Sequence, residues 1–239
     1  IIRKSGACAT TWKLGPAIIR GGQRSGLECS FVENRGKRVV AVLQRAEHLL
    51  LKALEGHSRT AEVHVKRLGQ SGEETARIMA QLANVYMLKQ HYNKAGSLLI
   101  IALEMSPKDS RVLSIYGAFL ESMHDIDAAE DAHLRAVVCG PTNIAALFAY
   151  AVFLVSLRRE FDKAQLYFER SVDISVPSYD VHDLQMALRG FALFMVVVRG
   201  NYARAEALLL RALRLNSQNP HVLFDLGRLH EFVRRDCGQ

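Results

Sequence analysis

Residues 76–109, ARIMAQLANVYMLKQHYNKAGSLLIIALEMSPKD, and residues 110–143, SRVLSIYGAFLESMHDIDAAEDAHLRAVVCGPTN, are one pattern written twice. Ala95, Ala102 and Pro107 return thirty-four residues later as Ala129, Ala136 and Pro141, and Met79 and Tyr86 return as Leu113 and Leu120. Leu113 and Gly117 return again as Leu147 and Ala151. A period of this length marks a stack of helical hairpins, each of which buries only part of its apolar face alone and completes its core against the next. Such a stack points toward binding rather than chemistry.

Working outward, the first unit predicts a helix from Ala76 to about Leu88, a turn at Lys89 to Tyr92, a second helix to about Met105 and a stop at Ser106-Pro107. The second starts at Ser110, turns at His124 to Asp127 and stops at Gly140-Pro141. A third begins near Ile144, turns around Arg158 to Phe161 and reaches Val176-Pro177, with one extra residue, since Ala129 to Ala164 is thirty-five. A fourth turns at Arg199-Gly200-Asn201-Tyr202. Ala164 to Ala205 is forty-one, so about seven residues are inserted around Ser178 to Asp183. Asn219 reads as an N-cap with Pro220 at the first helical position, opening a last helix through Leu223, Leu226, Gly227 and His230. Upstream, residues 38–55 place Val39, Val42, Leu43, Ala46, Leu49, Leu50, Ala53 and Leu54 on one face, which predicts an amphipathic helix from a degenerate leading repeat. A polar insertion containing Gly69 to Gly72 is expected to follow it.

Within the second helices, small residues stand two turns apart: Ala95 and Ala102, Ala129 and Ala136, Ala205 and Ala212. Between them stand Leu99, His133, Phe168 and Leu209. The alanines predict close helix crossings, and the larger residues the filling between them. His133 falls on a core-type position, which predicts a packed imidazole.

Charge is unevenly placed. Of the chain's 31 basic and 24 acidic residues, residues 1–38 hold eight basic groups against Glu28 and Glu33, which leaves 23 against 22 in the repeat body. A nucleic-acid surface would need a basic stripe on that body, and composition supplies none. Residues 1–38 are therefore expected to be a basic, poorly ordered leader, and any nucleic-acid contact is confined to it. Residues 39–239 are expected to form the repeat domain, with regular repeats over about 76–231.

The 4 cysteines are far apart with no C-x-x-C pair, so neither a disulfide framework nor a zinc knuckle is indicated, and a reducing, cytoplasmic setting is expected. The longest uncharged stretch, Ala136 to Leu157, is broken at Gly140-Pro141-Thr142-Asn143. The fourteen residues left, Ile144 to Leu157, are too few for a membrane span, and none is expected.

Catalytic patterns fail one by one. His230-Glu231 lacks the second histidine of a zinc-peptidase helix, and the glycines from Gly15 to Gly26 do not end in a phosphate-binding Gly-Lys-Ser/Thr. Asp180, His182 and Asp183 read as helix-capping residues rather than metal ligands. No catalytic residue, metal or cofactor is expected.

The two quoted units resemble the tetratricopeptide repeat. Met79, Leu82, Ala83, Tyr86, Ala95, Ala102 and Pro107 carry the likeness in the first, and Leu113, Tyr116, Gly117, Leu120, Ala129, Ala136 and Pro141 in the second. The third keeps Leu147, Tyr150, Ala151, Ala164 and Phe168 but has Ser171 for alanine; the fourth keeps Tyr202, Ala205, Leu209 and Ala212 but has Arg189 where a bulky apolar residue belongs. Leu223, Leu226 and Gly227 look like the first half of a fifth. The resemblance implies an all-α, right-handed superhelical stack of antiparallel hairpins whose first helices line a concave groove. Mapped here, its inward positions include Arg77, Asn84, Arg111 and Ser114 in a polar half, and Phe148, Val152, Val155 and Phe194 in an apolar half. Members that grip a C-terminal carboxylate need lysines, asparagines and an arginine of which only Asn84 is present, so that mode is rejected.

The implied function is a non-enzymatic scaffold that holds a partner peptide or amphipathic helix in the groove. The coverings of Phe148, Val152, Val155 and Phe194 stay open: a partner segment, or else neighbouring helices, the last helix or a self-association surface. The alternative function is an RNA-associated repeat protein that uses residues 1–38 for phosphate contact.

Overall fold

A computed structural model describes residues 44, 47–49, 51–52, 68–174 and 181–236. The basic leader expected over residues 1–38 and residues 178–180 of the insertion expected around 178–183 lie outside the described residues. Of the helix expected over 38–55, the described residues are helical, but Leu49, placed on the apolar face, is 57% exposed.

Every described element is a helix. In chain order they are α1 Leu68–Leu88, α2 Tyr92–Met105, α3 Ser110–Ser122, α4 Ile126–Cys139, α5 Ile144–Phe153, α6 Phe161–Asp173, α7 Val181–Phe194, α8 Tyr202–Leu215 and α9 Pro220–Asp236. Alternation of first and second helices follows the expected bounds closely, with one correction. Gly69 and Gly72 lie inside α1 rather than in a loop. A glycine costs a helix interior only about 1 kcal/mol, and Gly72 has open space around it, so nothing prevents the helix from extending through it.

The described residues group into two units that divide at Ala187 and Leu188. In the first, α1 packs on α2, α3 on α4 and α5 on α6, while the first helices pack on one another, α1 on α3 and α3 on α5. Ala95, Ala102, Ala129, Ala136 and Ala164 are fully buried at these crossings, and so are Leu99, His133 and Phe168 between them. Burying a side chain such as Phe168 stabilises by about 1.5–3 kcal/mol, and the stack repeats that gain in every hairpin.

The repeat register is punctuated by side-chain caps. Asp109 accepts from the backbone N–H groups of Arg111 and Val112, Asp125 from Ala128, and Asn143 from Ala146. Each satisfies donors that open a helix without partners. The hairpin turns repeat as well: Gln90, His124 and Arg159 take up the left-handed region at φ 63°, 63° and 59°.

The extra residue of the third unit is absorbed at the end of its first helix. From Leu154 to Arg158 the helix widens to a π turn before the left-handed Arg159, and the Leu154 carbonyl accepts from the N–H of Glu160 at 3.0 Å. Arg158 then ties the third hairpin to α4 of the preceding repeat, donating to Glu130 and to Asp127 at 2.6 Å each. Inside it, the Tyr150 and Tyr167 rings meet edge-on at 4.7 Å.

In the second unit α8 packs on α9 and on the π turn Met195–Arg199 that ends the helix begun by α7. Ala205, Leu209 and Ala212 are buried, and Gly200 holds the left-handed turn at φ 63°. Asn201 caps α8 by accepting from Arg204, and Asn219 caps α9 by accepting from His221 at 3.0 Å. Arg189, which replaces the usual bulky residue, donates to Asp225 at 2.7 Å. The helix Val181–Arg199 is long and apolar enough to cross a bilayer by length and composition, although Asp183 and Arg189 interrupt its uncharged run. An ion-paired arginine at mid-helix is the feature that a lipid-facing span avoids.

Candidate functional site

The inward positions of α1, α3 and α5 have unequal surroundings. Arg77 and Asn84 on α1 and Arg111 on α3 are exposed, as is Ala118 further along α3. Ser114 is only 8% exposed. On α5, Phe148 and Val152 are half-buried, the Phe148 ring lying tilted against Phe168 at 5.9 Å. Val155 is 6% exposed and sits in the core. Phe194, in the second unit, is fully buried beside Phe191 with the Arg199 guanidinium over its ring. Val155 and Phe194 are thus buried and offer no surface to a partner in this structure.

Arg77 and Arg111 come together on a cleft of about 790 Å3 between the N-terminal ends of α3 and α5 and the first half of α1. Its wall includes the loops 105–111 and 139–144, with Glu73 and Asp183 at its margins. Asn84, Phe148 and Val152 do not line it. Arg77 Nε donates to Asp109 Oδ2 at 2.6 Å, and the Glu73 carboxylate lies 3.7 Å from the same guanidinium. Asp109 therefore does two things at once: it caps α3 and anchors Arg77 of the preceding repeat. The next loop repeats the arrangement in neutral form, Asn143 capping α5 while its Nδ2 donates to Ser110 Oγ at 3.0 Å.

Lys108 on this cleft was not among the residues expected to bind, because it lies in the loop between repeats rather than on a first helix. A second cleft, of about 380 Å3 between α2 and α3, was missed for a similar reason. It is lined by Tyr92, Gly96, Ile100, Tyr116, Phe119 and Met123, of which Ile100 is 56% and Met123 54% exposed. Gly96 in the second helix admits the Phe119 ring there: a Cβ at Gly96 would stand 3.1 Å from Phe119 Cζ.

Two tyrosines show how dry the hairpins are. Burial, followed by the nearby Glu130 carboxylate, pushes the Tyr150 phenol up to about 12. Burial and a hydrogen bond to Glu47 likewise raise Tyr86, while the Lys89 ammonium, paired with the same carboxylate, holds Glu47 below its usual range. Among the described residues, no three His, Cys, Asp or Glu side chains gather as a metal-holding group. The chemistry on offer is charge pairing, hydrogen bonding and apolar contact.

No family model matches the chain. It is 24% identical over 140 residues to a TPR repeat-containing protein of Dictyostelium discoideum, the match covering 56% of this chain and 53% of that relative. The aligned region thus spans about half of that relative's length. Among solved structures, PilF of Pseudomonas aeruginosa superposes with a TM-score of 0.57 at 19% identity, covering 69% of this chain and 72% of that one. A thermophilic TPR protein of Thermus thermophilus gives 0.57 at 12% identity, over 78% of this chain and 98% of its own. BtubC from P. vanneervenii gives 0.56 at 15% identity, over 79% and 83%. These identities speak to fold alone. Taken with the thirty-four-residue register and the capped hairpins, they show a TPR-like helical-repeat fold, and the chain is similar to the TPR repeat-containing relative.

Proposed function

We propose that this helical-repeat scaffold is non-catalytic and holds a partner protein, presented as an extended peptide or amphipathic helix, along the first helices α1, α3 and α5. The observation that carries the reading is the sequence of surfaces along that face. Exposed Arg77, Asn84 and Arg111 are followed by half-buried Phe148 and Val152 on the next first helix. Polar anchors with an apolar shelf beside them suit a peptide that combines hydrogen-bonding backbone with one or two apolar side chains. Since the side chains of a carboxylate clamp are missing, the partner segment is internal rather than a free C-terminus.

The test uses peptides selected from a random dodecamer library on the full chain. Their affinity is compared between the wild type and the variants Asn84→Arg and Ala118→Arg, which add bulk at exposed positions and leave the core alone. Loss of roughly tenfold or more in both variants, with unchanged melting temperature, is the expected result. Equal affinity in all three proteins would mean that the first-helix face is not the site.

A further inference from the structure

The second helices share an outer side that stays open along the stack. Counting from the caps Asp125 and Asn201, Asp131, Leu134, Arg135 and Val138 of α4 correspond to Ala207, Leu210, Arg211 and Arg214 of α8. All four α4 residues are exposed, Val138 by 77%, although a further hairpin, α5 with α6, follows in the same unit. Openness of this side is thus a property of the hairpin and not of where the chain ends. What distinguishes α8 is charge. On this side α4 sets Asp127 and Asp131 against Arg135, with Asp131 and Arg135 3.8 Å apart, and α6 sets Asp162 and Asp173 against Lys163 and Arg170. On α8 stand Arg204, Arg211 and Arg214, with alanine at both places where α4 has aspartate. The one carboxylate of α8, Glu206, is turned toward α9, where it lies 3.4 Å from His230 Nε2.

We propose that this side of α8 docks an acidic amphipathic helix of a partner protein. The helix's own electrostatics explain only part of the arginine content. A cation in the last turn, such as Arg214, complements the helix dipole. Arg204 does the reverse. It sits in the first turn, where α4 and α6 carry Asp127 and Asp162 and where the dipole favours an anion. Its guanidinium is held over the Phe191 ring at 5.3 Å, so little rotamer freedom remains to be lost when a carboxylate takes its fork. Beside the arginines run Ala203, Ala207 and Leu210, one stripe at spacings of four and three residues, with Leu210 42% exposed. Two small residues admit a close helix, and the leucine gives it an apolar contact. The same stripe disfavours other anions. It offers RNA no aromatic ring on which to stack a base, and it offers a bilayer no large side chains projecting past the guanidinium groups. A helix whose glutamates or aspartates flank a seam of alanine and leucine matches both the charge and the shape. This surface lies wholly in the second unit, on a second helix, and does not depend on the first-helix face proposed above.

The probe is a designed fluorescent peptide, lactam-bridged to be helical in isolation, with glutamates along one flank of an alanine–leucine seam. Two controls accompany it: the same peptide with every glutamate replaced by glutamine, and one of identical composition whose order is scrambled so that no seam forms. Anisotropy titrations are run with the full chain, wild type and Ala207→Glu. A glutamate at this exposed position reaches Arg211 one turn on, as Asp131 reaches Arg135 in α4, so the variant keeps or raises its melting temperature while the face loses its excess charge. Saturable binding of the acidic helix to the wild type, weakened roughly tenfold or more by Ala207→Glu and in both control peptides, is expected. Absence of saturable binding, equal affinity for Ala207→Glu, or equal affinity for either control overturns the proposal. So does tighter binding of oligouridine or of phosphatidylserine vesicles that Ala207→Glu abolishes, since the occupant is then not a protein helix.

Discussion

Gly117 lies flat against the buried imidazole of His133: a Cβ on Gly117 would come within 2.7 Å of His133 Cε1. The ring cannot retreat. Its Nε2 is 2.7 Å from Glu121 Oε1, and Phe153 stands behind it with ring centres 5.4 Å apart. Gly117→Ala is therefore expected to destabilise the chain by about 1–3 kcal/mol, the usual cost of overpacking a core. In a double-mutant cycle with His133→Ala the combined cost falls well below the sum of the single costs, because truncating the ring removes the clash and the added methyl fills part of the cavity it leaves. Gly227→Ala, at the same register position in α9, should be neutral or stabilising, since nothing lies within 4 Å of where its Cβ would stand. Urea denaturation of the four variants checks the contrast, and equal losses at 117 and 227 would refute it.

The hairpin turns supply a prediction of opposite sign. Gln90, His124 and Arg159 occupy the left-handed region that Gly200 occupies in the fourth unit. For a residue with a Cβ that conformation costs about 1–2 kcal/mol, part of which glycine returns through its freer unfolded state. Gln90→Gly and Arg159→Gly are expected to raise stability by about 0.5 kcal/mol each, and Gly200→Ala to lower it by about 1 kcal/mol. Thermal melts of the single variants suffice. A loss of stability in both glycine variants would show that the turns are held by something other than backbone preference.

These two cases also mark how far residues alone lead. The alanines, leucines and prolines at fixed spacing place the helices, because close crossings admit only small side chains and a period of 34 puts them on one side of every hairpin. The π turn over Leu154–Arg158 was not legible, since an extra residue can enter a helix, a turn or a loop without changing composition. The candidate binding face was legible only as positions. The resemblance maps Arg77, Asn84, Phe148 and Phe194 to inward positions, but burial depends on what packs over them, and Phe194 is covered while Asn84 is open. Arg77 has a further partner that no helical period announces, the capping carboxylate of the next repeat.

Tyr150 should make the fold sensitive to alkali. Burial and Glu130 raise its phenol from 10.0 to about 12 in the folded chain, so between those values the folded state keeps a proton that the unfolded state has lost. Stability from this group is fully present below about pH 10 and is lost as pH rises through about 12. Tyr150→Phe removes the titration. After subtracting their offset at neutral pH, the unfolding free energies of the two proteins should therefore diverge as pH rises through this window, the wild type falling below Tyr150→Phe. A constant difference across the window would place the Tyr150 hydroxyl in water.

Asp109 joins two repeats through one carboxylate, and its two roles separate by substitution. Oδ1 accepts from the N–H groups of Arg111 and Val112, and Oδ2 from Arg77. Asn at this position retains a cap acceptor but gives up the charge, as Asn143 already does one repeat later. Asp109→Asn is expected to cost up to about 1 kcal/mol, the worth of an ion pair whose arginine is half-exposed and whose carboxylate is nearly buried. Asp109→Ala loses the cap as well and should cost about 1–2 kcal/mol. Salt separates the roles further: the Asn variant's deficit shrinks in 1 M sodium chloride, where screening has already weakened the pair in the wild type, whereas the remaining deficit of the Ala variant persists. Equal deficits for Asn and Ala at low salt would assign the whole effect to the bond with Arg77 and none to the cap.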